Sequence, residues 1–241
     1  MGQNVLGLIA GSGLREGSLL KDERHVRVET PYGPPADTPR LGRFRRHTIA
    51  LLPRHGSNHR IPPHRINHRA NLWALKELGA TRVIATSSTG SLKQSIRPGT
   101  FVVPHDFVAF WNIPTIYDDD IRHVTPSLDE DLRMALVAAA KEANVAVRPR
   151  GIYVQTSGPR LETRAEIAHF RKIGDILGMT MASEATLASE LGLRYASLCS
   201  VDNFCNGIVD RPLTFEAIRK MQERNATALR DVVVRALEAI H

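Results

Sequence analysis

The chain is short of the features that would classify it at a glance. Its 241 residues hold two cysteines, and aromatic side chains make up only 5%. Cys199 and Cys205 are six positions apart, too few for a disulfide framework, and read as free thiols of a reducing, cytoplasmic compartment. No apolar run approaches the roughly 18 residues of a membrane-crossing helix. Met1–Asn4 offers no basic leader before Val5-Leu6-Gly7-Leu8-Ile9-Ala10, so the start reads as a strand and not as a secretory signal. Gly2 would suit myristoylation, but Leu6 stands where Ser or Thr is needed. No internal repeat and no low-complexity linker divides the sequence. One domain over residues 1–241 is therefore expected.

Two motifs are also missing. The early glycines are Gly11, Gly13 and Gly17, which fails the dinucleotide-binding GxGxxG. His64 and His68 are four apart, but no Glu follows His64, so the HExxH zinc pattern is absent. Capping or surface histidines are the simpler reading, and no metal is expected. Asp118-Asp119-Asp120 cannot aim three adjacent side chains at one ion and reads as a solvated loop.

What the chain has is positive charge: 32 Lys and Arg against 25 Asp and Glu, a net +7. That suits an anionic partner. Arg and His crowd from Arg40 to Arg69, but without the interleaved aromatics that stack nucleobases. A merely solvated basic face is the simplest reading, a phosphate-bearing small molecule is a ligand class it suits, and no nucleic acid and no membrane is expected as partner. Arg40–Arg46 reads as a loop, and whether it closes over a site is open.

Apolar periodicity alternates between two types. Val5–Ala10, Thr48–Leu52, Arg82–Thr86, Phe101–Val103, Gly151–Gln155 and Tyr195–Val201 read as strands. Asn67–Leu78, Leu128–Ala143, Glu162–Lys172, a helix capped by Ser183 and running to Leu191, and a terminal helix capped by Thr214 read as helices. This is an α/β pattern, a mixed central sheet flanked by helices. In such folds ligands gather at the carboxyl ends of strands. Four groups of residues follow strands here. Gly11-Ser12-Gly13 is either a plain tight turn or a phosphate cradle. Arg54-His55-Gly56 offers a planar cation and an imidazole, and is similar to the triplet of histidine phosphatases. Ser87-Ser88-Thr89-Gly90-Ser91 reads as a polar turn or an oxyanion cradle. The late group is Gly158-Pro159-Arg160-Leu161-Glu162-Thr163, Gly178-Met179-Thr180 and Val201-Asp202-Asn203-Phe204.

In this order the segments resemble the trimeric purine nucleoside phosphorylase family, especially its methylthioadenosine and methylthioinosine phosphorylase branch. The likeness runs from Val5 into the terminal helix. It is most specific at Pro53-Arg54-His55-Gly56, Ile66–Leu75, Gly158–Glu162 and Gly178-Met179-Thr180. The resemblance implies phosphorolysis: inorganic phosphate, a co-substrate, displaces a purine from the sugar, and neither metal nor organic cofactor is needed. It implies a phosphate shell of Ser12, Arg54, His55, Ser87, Ser88 and Thr180. It sets Met179 against the ribose and Asn203 and His55 among the catalytic groups. Glu162 and Asn203 match relatives acting on 6-oxopurines, where adenine-specific relatives carry Ser and Asp. A carboxylate accepts from the N1–H of hypoxanthine but opposes the bare N1 of adenine, so S-methyl-5′-thioinosine, inosine or guanosine is favoured over methylthioadenosine. Asp202 could turn in to receive an amine, or could cap a loop. Phe215 matches the 5′ subsite, where it would favour a methylthio group, or it is core. His123 matches a histidine lent to a neighbouring subunit, which implies a homotrimer or a dimer of trimers. A histidine phosphatase and a non-catalytic nucleotide-binding protein stand as the other classes.

Overall fold

A computed structural model describes residues 5–14, 19–111 and 113–240. Gly2 and Gly17 lie outside the described residues. The strands are Val5–Ala10 (β1), Lys21–His25 (β2), Arg40–Phe44 (β3), His47–Pro53 (β4), Ala80–Ser91 (β5), Phe101–Val102 (β6), Asp106–Ala109 (β7), Val147–Arg148 (β8), Ile152–Gln155 (β9), Ile176–Gly178 (β10) and Arg194–Phe204 (β11). The helices are His68–Glu77 (α1), Glu130–Glu142 (α2), Arg164–Phe170 (α3), Met181–Glu190 (α4) and Phe215–Ala239 (α5).

β1 is buried along its whole length, and the two-residue period of a strand divides its side chains between two layers. Leu6 and Leu8 pack with Leu132 and Leu136 of α2 and Leu229, Val233 and Leu237 of α5. Val5 and Ile9 pack with Leu72 and Leu75 of α1 and Leu187 and Ala188 of α4. A strand covered on both faces has no polar side, which is why this one is continuously apolar. β4 and β5 pair with β1 in parallel, β11 pairs with β5 in parallel, and β10 and β3 join antiparallel, so the sheet is mixed. This is the expected α/β architecture. Among the described residues no helix is long and apolar enough to cross a membrane.

Four local expectations are corrected. Ser87–Gly90 is not a turn but the end of β5, because Cys199, Ser200, Val201 and Asn203 of β11 pair with Ser87, Ser88, Thr89 and Gly90. Ser183 is not a cap. α4 starts at Met181, and the Ser183 N–H and hydroxyl are both bonded to the Gln155 amide. Glu162 precedes its helix, which Thr163 caps through a reciprocal capping box with Glu166. Arg40–Arg46 is no loop: Arg40–Phe44 is hydrogen-bonded to β2 on one side and β4 on the other. A strand paired on both edges cannot swing over a site.

Candidate active site

The carboxyl ends of β1, β4, β5, β10 and β11 converge on one cavity of about 630 Å³. That is the size range of small-molecule sites. Ser12, Arg54, His55, Ser87, Ser88 and Thr180 border it. So do Glu162, Met179, Asn203 and Phe215. His123 is exposed and does not border it, and neither does Asp202.

On the anion side Arg54 is 1% exposed and tied down. Its Nε donates to Glu184 Oε1 at 2.5 Å, Nη2 to Glu184 Oε2 at 2.9 Å and Nη1 to the Thr86 carbonyl at 2.7 Å. Three of five guanidinium N–H groups are thus spent on protein. Glu184, on the first turns of α4, is fully buried and also accepts from the Tyr195 hydroxyl at 2.7 Å. Burial pushes its carboxyl pKa up, but the Arg54 charge and bonds outweigh this and the net shift is downward. Gly11 must be glycine here, since a Cβ would collide with the Thr86 carbonyl and the Arg54 guanidinium. Its N–H is held by Thr86 Oγ1 at 3.0 Å, which sets the turn that carries Ser12.

His55 sits next to Arg54. Burial first, and then the Arg54 charge, lower its pKa to about 4, so the ring is neutral at pH 7. Ser12 Oγ and His59 Nε2 are 3.1 Å apart, which links the first turn to the second. Among the described residues no His, Cys, Asp and Glu side chains cluster as a metal would need. His64 lies in a short 3-10 turn, and His68 opens α1 with Nδ1 3.8 Å from Glu184.

Elsewhere on the lining Thr156 Oγ1 donates to Glu162 Oε1 at 2.7 Å, and Asn206 Nδ2 holds the Glu162 carbonyl at 2.8 Å. These bonds fix the carboxylate while leaving Oε2 without a protein partner among the described residues. β11 carries a bulge between Val201 and Asn203. Bulges re-aim side chains beside sites. This one sends Asn203 to the cavity and Asp202 behind it, where Asn225 Nδ2 donates to Asp202 at 2.8 Å and Ser200 Oγ at 3.0 Å. Asp202 therefore neither caps a loop nor turns into the cavity. Burial raises its pKa to about 6, against the bonds from Ser88, Asn225 and Ser200. Met179 leans over Gly158, whose φ of +63° and crowding against the Met179 thioether both call for glycine. Phe215 is 79% exposed, which removes the core-packing reading.

Sequence reasoning missed Glu184, Tyr195 and Gln222. Gln222 Nε2 donates to Ser88 Oγ at 2.9 Å and pins α5 to the end of β5. The one available signal was Glu184 itself, the lone charge in the otherwise uncharged run Met181–Ala188.

Comparison with known proteins shows the family. The Phosphorylase superfamily model matches residues 5–238. A "probable 6-oxopurine nucleoside phosphorylase" of Archaeoglobus fulgidus is 41% identical, covering 98% of this chain and 97% of its own. A "probable S-methyl-5′-thioinosine phosphorylase" of Methanothermobacter thermautotrophicus is also 41% identical, covering 97% and 83%. The solved methylthioadenosine phosphorylase of Schistosoma mansoni in complex with adenine is 30% identical and superposes with a TM-score of 0.90 over 98% of this chain and 91% of that one. A match over nearly the whole length, in sequence and in fold, means that the chain belongs to the phosphorylase superfamily.

Proposed function

We propose that the protein cleaves 6-oxopurine nucleosides with phosphate, releasing the free purine and a ribose 1-phosphate, with S-methyl-5′-thioinosine as the favoured substrate. The C1′–N9 bond breaks, a phosphate oxygen bonds to C1′, and the purine leaves with the proton that the phosphate brought. Positive charge grows on the sugar and negative charge on the purine. The site therefore needs an anion on one side of C1′ and hydrogen-bonding groups on the base. One observation carries the reading: Arg54 and His55 share a single cavity with Glu162 and Asn203. Ser12, Ser87, Ser88 and Thr180 complete the phosphate shell, and Met179 packs on the ribose.

The same reading takes residues 1–241 as one domain, since both core layers lie on one sheet. It takes phosphate as co-substrate with no cofactor and places the chain in the cytoplasm, where its two buried free thiols stay reduced. It assembles the chain as a homotrimer or a dimer of trimers, in which the exposed His123 would serve a neighbour's site as the family likeness implies. The test is product analysis. The protein is incubated with inosine, guanosine, adenosine and the two methylthio nucleosides, with and without phosphate. Phosphate-dependent release of hypoxanthine is expected. Base release without phosphate, or of adenine alone, counts against the proposal.

The 5′ end has its own test. Phe215 opens α5 at the cavity mouth and cannot bond a hydroxyl. Covering a methylthio group with it is worth about 1–2 kcal/mol. Phe215→His is expected to shift the kcat/KM ratio of methylthioinosine to inosine toward inosine by about tenfold or more. An unchanged ratio removes Phe215 from the sugar end.

A further inference from the structure

The stripe of α5 that faces the sheet changes character along its length. From Leu229 onward it is apolar: Leu229, Val232, Val233, Ala236 and Leu237 are buried in one core layer. Continued toward the N-terminus at the same three- and four-residue spacing, it runs through Asn225, Gln222 and Ile218. Two amides thus stand where apolar residues would be expected. They do so where the helix comes to border the cavity, through Phe215, Ile218, Arg219 and Gln222. Asn225 is buried and does not border it.

The groups beneath match the amides. Asn225 Nδ2 donates to Asp202 Oδ1 at 2.8 Å, and Gln222 Nε2 donates to Ser88 Oγ at 2.9 Å. The Ser88 hydroxyl in turn bonds to the Asp202 carboxyl, and Ser200 Oγ donates to Asp202 Oδ2 at 3.0 Å. Asp202 is 2% exposed. It is the residue that the β11 bulge leaves out of register with β5, since Val201 pairs with Thr89 and Asn203 with Gly90. One buried carboxyl group therefore joins α5 to the ends of β5 and β11. Apolar packing is non-directional, whereas hydrogen bonds fix angle and register. Ser87 stands outside this network: its hydroxyl is buried beside the cavity without a partner among the described residues.

We propose that Asp202 is a positioning residue for the sugar end of the substrate. Through Asn225 and Gln222 it sets the angle at which the first turns of α5 lie over the cavity, and so places Phe215, without itself touching substrate. This rests on the phosphorolysis reading and on Phe215 facing the 5′ group. Phe215 is seven residues before Gln222, about 10 Å along the helix axis, so a small tilt at the amides carries the ring off a methylthio group.

The test compares two substrates on one enzyme, so its readout does not depend on the folded fraction. Asn225→Ala removes the tie from the helix side and Asp202→Ala from the strand side. Each is expected to lower the kcat/KM ratio of methylthioinosine to inosine by about three- to tenfold, and by no more than Phe215→Ala does. Asp202→Asn keeps an acceptor for Asn225 and is expected to retain most of the ratio. With Phe215→Ala already in place, adding Asn225→Ala is expected to leave the ratio unchanged, because both act on one contact. Asn225→Ala is also expected to leave the ratio of methylthioinosine to methylthioadenosine within about twofold, since the two share their 5′ group. A methylthioinosine-to-inosine ratio that is unchanged in both alanine variants, or that falls equally with and without Phe215, overturns the proposal while phosphorolysis stands. If Phe215→Ala alone leaves that ratio where it was, Phe215 is not at the 5′ end and this inference falls with that assignment. If no base release depends on phosphate, the phosphorolysis reading itself fails.

Discussion

Glu184→Ala is expected to lower the unfolding free energy by about 3–5 kcal/mol, because it leaves the Arg54 guanidinium buried without its counter-charge. Arg54 is 1% exposed and donates two of its hydrogen bonds to this one carboxylate. Tyr195 loses its acceptor in the same step. Glu184→Gln keeps an acceptor for Tyr195 but not the charge, and should fall between the two. Urea midpoints measure both. A drop for Glu184→Ala no larger than that of an exposed acid, such as Glu77→Ala, would show that the pair holds little of the fold. Replacing both partners by apolar residues, Arg54→Met with Glu184→Leu, is expected to recover most of the stability, since an apolar pair of similar volume often does as well as a buried ion pair. It should not recover turnover. The loss of an anion-facing donor costs about 10²–10³ in rate in comparable sites. Stability restored with activity absent is the signature of an arginine kept for chemistry. The pH dependence has a definite sign. The folded pKa of Glu184 is depressed, so the pair's contribution is present above the carboxyl's unfolded value of 4.5 and is lost as the pH falls through the folded value.

The same residue shows where sequence reading stops. Arg54 and His55 are recognisable as a pair because they follow a strand and match a family triplet. Glu184 is 130 positions away, and nothing in the chain states that it neutralises Arg54. Its partner exists only once α4 is packed. Ser183 fits an N-cap pattern as well as Thr180 does, and the choice was made by the Gln155 amide, 28 residues earlier. Ser87–Gly90 has turn composition, yet β11 supplies a strand partner and the backbone extends. β2 was invisible because all five of its residues are exposed and give no apolar alternation. By contrast the central strands and the terminal helix were legible, because burial on one or both faces writes directly into hydrophobic period. The cavity residues were legible through family likeness, but the hydrogen bonds that hold them around one cavity were not.

Glu162 and Asn203 come from separate segments, one just before α3 and one at the bulge of β11, and both are held by neighbours before any ligand arrives. Glu162 Oε2 can take the N1–H of a 6-oxopurine, and the Asn203 amide can donate to O6 or bond at N7. Adenine offers a lone pair at N1 and a donor at position 6, so at N1 it meets an opposing carboxylate, whereas the Asn203 amide carries both a donor and an acceptor. A site built on such bonds rejects the mismatched analogue by about 10⁴–10⁵ where no compensation exists. Exchanging both residues, Glu162→Ser with Asn203→Asp, removes the repulsion and supplies an acceptor for the 6-amino group. The ratio of kcat/KM for methylthioinosine to that for methylthioadenosine is expected to fall by about 10²–10⁴. Asn203→Asp alone should move it in the same direction by less, because Glu162 still opposes N1. The phosphate KM should stay within about threefold, since neither residue belongs to the proposed phosphate shell. Asp202 is the internal control: its carboxylate is engaged by Asn225 and Ser200, so Asp202→Asn should leave the base ratio where it was. If Asp202→Asn moves the ratio and Asn203→Asp does not, the bulge in β11 presents the other residue to the base, and the 6-oxopurine preference must rest on Glu162 alone.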